Sequence, residues 1–395
     1  MYSAFRIPIS AFGPPPPVKN PRRAITLIEL LIAIAIISVL AALLVGVAGR
    51  AGEVARDART RSLVGRIHTL VIERYDLYRT RRVELNQNAV ANLAIDSNSD
   101  DRSDLAGIYL DTLNSIQGNA AARLAGQREL MKFEMPDRWT DVWGGPLPSI
   151  DQLSDEDYAA FPPAFVTGAI PLRNKYLREL RAAAGRDNRS TLMGNTIPEI
   201  LANQSAECLY LMVMNATGDG EAPSLFNEND VGDTDGDGLR EFLDGWGQPI
   251  GFLRWAPGFD SDLQWSIASL QRRYDRPPTG LSSVEAVREA VLEDHDPLDV
   301  FRLDTPAPSL SPFDATTDAL TVRGWRLVPL VFSIGADGEA GIEPGVANYV
   351  AYANPYADAS GGGSTIVRIG QLTPDLEGYA DNLHSHNVGS LSTRR

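Results

Sequence analysis

Residues 22–49 read RRAITLIELLIAIAIISVLAALLVGVAG, and within residues 25–49 the sole charge is Glu29. As a helix, such a run is long enough to cross a hydrocarbon layer about 30 Å thick, so residues 25–49 are expected to span a membrane. Ahead of it stand Lys19, Arg22 and Arg23, with no acidic residue anywhere in positions 1–24. By the positive-inside rule that bias holds the short arm in the cytoplasm and sends the remainder of the chain across. A cleaved secretory signal has a shorter apolar run ending in a small-residue cleavage site, and this run is too long for one. A carboxylate near the middle of an inserted helix costs about 2.5–3.5 kcal/mol and less near its end, where Glu29 lies, so Glu29 calls for a partner.

The helical pattern continues beyond the apolar run. Val64, Ile67, Val71, Tyr75 and Tyr78 recur at spacings of three and four, while Arg59, Arg66, Arg74 and Arg81 fall on other faces. No proline interrupts residues 25–82, so a single helix of about 87 Å is expected at 1.5 Å per residue. Its second part, residues 50–82, reads as an amphipathic stalk whose apolar stripe packs on a head. Gly46, Gly49 and Gly52 are the weak points of this helix, each costing about 1 kcal/mol relative to alanine.

Charge divides the chain at the same place. Residues 1–82 carry 13 Lys and Arg against 5 Asp and Glu, whereas residues 83–395 carry 23 against 46. An acidic body repels nucleic acid and attracts divalent cations, which excludes nucleic acid as an expected partner. The 395 residues are 44% hydrophobic and 22% charged, a composition that supports a packed head and excludes collagen-like or largely disordered classes. Cys208, the sole cysteine, can form no internal disulfide and is expected as a small core residue of a buried helix over 196–214.

Within the head, a polar break at 86–104 precedes helical patterns over 104–131 and 172–184, and Ser282 with Glu285 forms a capping-box pattern before a helix reaching about Asp294. Strand patterns fall at 249–255, 326–334 and 346–352. Residues 83–230 therefore read as a helical part of the head and residues 231–395 as its sheet-bearing part.

The segment Asp233-Thr-Asp-Gly-Asp-Gly-Leu-Arg-Glu-Phe-Leu-Asp244 fits a calcium loop. Oxygen ligands belong at positions one, three, five, seven, nine and twelve, with glycine at six. Those places hold Asp233, Asp235, Asp237, the Leu239 carbonyl, Glu241 and Asp244, with Gly238 at the turn. Aspartates alternating with glycine repel one another without a cation, so a structural calcium ion is expected. Gly245-Trp246-Gly247 excludes a helix leaving the loop. The alternative reading is an acidic, solvated turn.

The run from Arg22 to Leu31, RRAITLIELL, resembles the processing site of type IV pilins and type II secretion pseudopilins. The resemblance implies that prepilin peptidase cuts between Ala24 and Ile25 and methylates the new terminus at Ile25. Glu29 then becomes the fifth residue of the mature chain, where the family's glutamate pairs with the amine of a neighbouring subunit. Ala24 and Ile25 depart from the family's usual Gly and Phe or Met. Asp244-Gly-Trp-Gly-Gln-Pro-Ile250 is similar to the major pseudopilin's Asp-Pro-Trp-Gly-Asn-Pro-Tyr. Phe332-Ser-Ile-Gly-Ala-Asp-Gly-Glu339 resembles the motif that opens that family's calcium loop, making Asp337 a candidate ligand by resemblance. Asp141-Val-Trp-Gly-Gly-Pro146 echoes the first of these segments.

The implied fold is α+β: a long amino-terminal transmembrane and stalk helix packed on a head with a small antiparallel sheet and a large, mostly helical insertion. The implied location is a bacterial inner membrane, crossed once, with the head in the periplasm, and the implied partners are prepilin peptidase, other pilin subunits and an assembly platform. The phosphate-loop, zinc-protease and nucleophile-elbow motifs are missing from the sequence, so a mechanical rather than enzymatic function is expected. A membrane-tethered enzyme and a calcium-dependent adhesion module are the alternatives. His384-Ser385-His386 reads as a solvated tail and Asp294-His295-Asp296 as a helix end.

Overall fold

A computed structural model of the chain describes residues 26–86, 116–185, 187–188, 193–194, 196–216, 222–304, 313–314, 319–320, 323–346, 354–356, 359, 367–373 and 381–388, without the side chains of 43–49, 116–119, 187–188, 193–194, 216, 313–314, 319–320 and 388. The architecture is α+β, and the chain divides into two units, 1–54 and 55–395.

Helix α1 (Leu27–Leu77) begins in the first unit. Every side chain from Leu27 to Ala42 is exposed, including Leu27, Ile28, Leu31, Ile34 and Ile37. Among the described residues no helix is long and apolar enough to cross a membrane. The span expected over 25–49 extends past them at both ends, because Ile25 and the side chains of 43–49 lie outside.

In the second unit, the residues of α1 from 55 onward carry the expected stripe: Val64, Ile67, Val71, Tyr75 and Tyr78 are buried together with Leu63. The helix closes at Leu77, where the hydrogen bond from Tyr78 N–H to the Tyr75 carbonyl opens a turn. The arginines beside the stripe are fasteners. Arg59 donates to Asp230 Oδ1 at 2.8 Å, and Glu134 collects Arg81, Arg74 and the Tyr78 hydroxyl. Glu134 ends α2 (Ile116–Glu134), the described part of the helix expected over 104–131.

The central sheet has three antiparallel strands, β3 (Ile250–Leu253), β4 (Leu330–Ser333) and β5 (Leu383–His384), with β4 in the middle. Ile250 faces Ser333 and Leu253 faces Leu330 in register. Alternation along the strands divides the two faces, as a period of two requires. Ile250, Phe252 and Val331 join the core over α1, whereas Leu253, Leu330 and Phe332 pack with Phe259, Ile342 and Ile369. Most of the strand expected over 346–352 lies outside the described residues. A separate antiparallel pair of two-residue strands joins β1 (Val231–Gly232) and β2 (Glu241–Phe242).

The insertion has its own core, in which Trp139, Val142 and Trp143 of α3 (Trp139–Trp143) meet Tyr176, Leu177 and Leu180 of α4 (Pro171–Ala184). The single helix expected over 196–214 is two, α5 (Ile197–Ala202) and α6 (Gln204–Ala216). Asn203 breaks them apart, since its side chain leaves the helix for the acidic loop. Cys208 on α6 is fully buried in this core. Ser205 fastens α6 to β3, bonding the Phe252 carbonyl at 2.6 Å and its N–H at 2.7 Å.

Between the two cores sits a buried charge cluster. Arg254, fully buried, donates at 2.7 Å to both Asp141 Oδ2 and the Met135 carbonyl and lies over the Trp255 ring. Helices α7 (Ile267–Asp275) and α8 (Ser283–Glu293) pack together, and the Ser282–Glu285 capping box forms as its spacing predicts.

The carboxyl-terminal histidines are a correction. Leu383 and His384 complete the sheet, and His384 and His386 are both buried, packed edge-on against Phe259. Two residues are too few for strand periodicity to register in a sequence. Asp296 is likewise no solvated helix end: it is buried on Arg128 of α2 at 2.8 Å.

Candidate functional site

The acidic loop is built by local backbone hydrogen bonds. Asp233 Oδ1 accepts from Gly236 N–H at 2.7 Å, and Asp237 Oδ1 accepts from Leu239 N–H at 2.7 Å. Gly236 and Gly238 hold φ of 79° and 95°, the left-handed region in which a side chain is strained, so the glycine expected at position six does turn the chain. The Leu239 side chain anchors the loop in the insertion core. The chain then leaves as strand β2 rather than as a helix, in keeping with the Gly-Trp-Gly that follows.

This course sorts the expected ligands. Carboxylate oxygens of Asp233, Asp235 and Asp237 lie within 4.8 Å of one another. A second group shares Asp235, uniting it within 4.8 Å with Glu241 and Glu207. Asp244 falls in neither group. Its Oδ1 accepts from Trp246 and Gln248 N–H, and its Oδ2 from the Ser333 hydroxyl at 2.6 Å, so it caps the following turn and ties it to β4. Asp337 caps its own turn through Glu339 N–H at 2.9 Å, and Asp381 receives the N–H groups of Ala336 and Asp337.

Glu207 and Asn203 are missing from the linear reading. Glu207 is fully buried on α6, with Oε2 accepting from the Trp139 indole at 2.6 Å and Oε1 without a hydrogen-bond partner among the described residues. Asn203 Nδ2 bridges Asp235 Oδ2 at 3.1 Å and Glu241 Oε1 at 3.2 Å. One signal for Glu207 exists in the sequence: it is the sole carboxylate in the otherwise apolar run 206–214. Burial, then the neighbouring Asp235, pushes the Glu241 carboxyl up to about 7. Burial, with Asp237 next, raises Glu207 well above the carboxylate range, and burial also raises Asp235.

At the amino terminus, Ala24 and Ile25 lie outside the described residues. Thr26 and Glu29 form a reciprocal capping box. Thr26 N–H donates to Glu29 Oε2 at 2.9 Å, and Glu29 N–H donates to Thr26 Oγ1 at 3.2 Å. The Thr-x-x-Glu spacing carries that signal in the sequence. The carboxylate thus sits on the first turn of α1, where the helix dipole favours it, at the head of an exposed apolar rod. Residues 19–45 match the family model of the prokaryotic N-terminal methylation motif. The chain carries the type IV pilin and pseudopilin signature. That signature marks a type IV pilin-like substrate of prepilin peptidase, a subunit anchored in a membrane with its body outside the cytoplasm, and implies assembly with other pilin subunits. Searches of the curated proteins and of the solved structures found no match.

Proposed function

We propose that this chain is a structural subunit of a periplasmic or surface filament serving type II-like protein secretion. Prepilin peptidase cuts it between Ala24 and Ile25 and methylates Ile25, and the apolar helix holds it in the inner membrane until assembly. The observation that carries the reading is the methylation motif over 19–45, with Glu29 as the fifth residue after the cut. The exposed apolar side chains from Leu27 to Leu40 support it, because a surface of that extent calls for lipid or neighbouring subunits to cover it. The arginine fasteners of α1 on Asp230 and Glu134 suit a head that bears load along its helix.

Mass spectrometry of the amino-terminal peptide, with and without the host peptidase, tests the processing. A methylated Ile25 that appears only with the peptidase is the expected result, and an uncut chain in its presence would refute the reading. Glu29→Ala is then expected to be cut normally yet to lose incorporation into filaments, measured by crosslinking to neighbouring subunits. Undiminished incorporation would remove Glu29 from assembly.

A further inference from the structure

We propose that Glu207 of α6, Asp235 and Glu241 together hold one calcium ion, which pins the acidic loop to the core of the head. This goes beyond the filament reading and stands or falls without it.

Three carboxylates within 4.8 Å, two of them fully buried, cannot all carry their charge without a cation between them. Glu207 is fully buried, and among the described residues its carboxylate bonds Trp139 through Oε2 while Oε1 has no partner, so the side chain leaves acceptor capacity at the cluster that those donors do not fill. A structural glutamate serving Trp139 alone would need neither Asp235 nor Glu241 beside it. A cation meets all three carboxylates at once.

The donors are all oxygen, with no imidazole or thiolate among them, which selects a hard cation over zinc or copper. They come from a helix, a loop and a strand, a mixed set that suits calcium's flexible coordination better than magnesium's strict octahedron. The side-chain amide of Asn203 sits against two of the three carboxylates. Turning that amide over presents its oxygen to the same point, converting a bridging donor into a further ligand. Asp233 and Asp237 share Asp235 as a neighbour within 4.8 Å and add negative field to the site.

The placement gives the ion a mechanical consequence. Helix α6 is fastened to β3 through Ser205, and the loop leads through β2 to the turn at Gly245, which bonds Thr60 of α1. Calcium would close this circuit from stalk to sheet.

The test uses the full chain in detergent, stripped with EGTA and titrated with calcium, followed by thermal melting and by terbium emission excited through tryptophan. Calcium should raise the melting temperature by several degrees, and terbium should emit and be displaced by calcium, since Trp139 adjoins the site. Glu207→Gln keeps an acceptor for Trp139 but removes a charge. It should melt higher than the parent chain in EGTA, lose the calcium response and bind calcium about tenfold or more weakly. Glu241→Gln gives the same readout if Glu207→Gln fails to fold. Absence of any calcium response in the parent chain overturns the proposal. Undiminished affinity in Glu207→Gln, with loss in Asp233→Asn, would move the ion to the group of Asp233, Asp235 and Asp237 and overturn the placement.

Discussion

Replacing Gly245 by alanine should loosen the head from its helix, by an amount that can be worked from the contact. Gly245 N–H donates to Thr60 Oγ1 at 2.9 Å, and that hydroxyl donates to the Arg56 carbonyl at 2.9 Å. A Cβ at 245 would stand 2.5 Å from the Arg56 carbonyl oxygen and 2.8 Å from its Cα. Both are backbone atoms of a helix and cannot swing away, so the turn must retreat. Overpacking of this kind costs about 1–3 kcal/mol, and loss of the hydrogen bond adds about 0.5–1.5 kcal/mol. For the unit spanning 55–395, about 2.1 cal/mol/K per residue gives roughly 0.7 kcal/mol per degree, so the melting temperature should fall by about 2–6 °C. Gly247→Ala is the control. Gly247 has φ of 87° with nothing within 4 Å of a built Cβ, so its change carries only the left-handed strain of about 1–2 kcal/mol, or about 1.5–3 °C. Differential scanning fluorimetry in detergent reads all three chains. If Gly245→Ala melts within a degree of the parent, or above Gly247→Ala, close approach is not what requires glycine at 245.

Two further outcomes follow from buried charge. Arg254→Met leaves Asp141 buried without the guanidinium that meets it at 2.7 Å, a loss of about 3–5 kcal/mol that should lower the melting temperature by about 4–7 °C. Asp141→Asn in the same chain should recover part of that loss, and failure of the single variant to destabilise would contradict the pairing. The carboxyl-terminal histidines predict acid sensitivity. Burial depresses His384 to about 4, with Arg61 assisting, and His386 to about 3, with His384 and His68 assisting. His386 Nε2 lies 3.2 Å from the Pro329 carbonyl and Nδ1 2.9 Å from the Ser261 hydroxyl, which assigns a neutral ring with the proton on Nε2. Because the folded values lie below the unfolded one, their stabilisation is complete above about pH 6.5 and is lost as the unfolded chain takes up protons below it. At pH 5 the loss is about 2 kcal/mol for each ring. The melting temperature of the parent should therefore fall more steeply between pH 7 and pH 5 than that of His386→Gln, and parallel slopes would refute the assignment.

What the sequence disclosed is what depends on one segment alone. The α1 stripe from Val64 to Tyr78 was legible because helical spacing repeats over several turns, and so was the Ser282–Glu285 box because its two partners lie three residues apart. The two longer sheet strands were legible as apolar runs, whereas β5 was not, since its pairing with β4 arises from contact across the fold. The same holds for the break at Asn203: its neighbours favour a helix, and the loop that draws its side chain away lies elsewhere in the chain.

In the acidic loop, linear spacing and the fold part company at the last position. The calcium-loop rule assumes that an exiting helix returns the twelfth residue to the ion. Here Glu241 opens a strand, an extended backbone advances about 3.3 Å per residue, and Asp244 is carried on to cap the turn that rests on Thr60. The carboxylate that faces Asp235 and Glu241 in its stead comes from α6, where its charge stands out only against the apolar residues around it. A spacing motif fixes the residues that one turn can gather. The group that completes them is set by whichever element packs behind the turn, and here that element is the helix Asn203 begins.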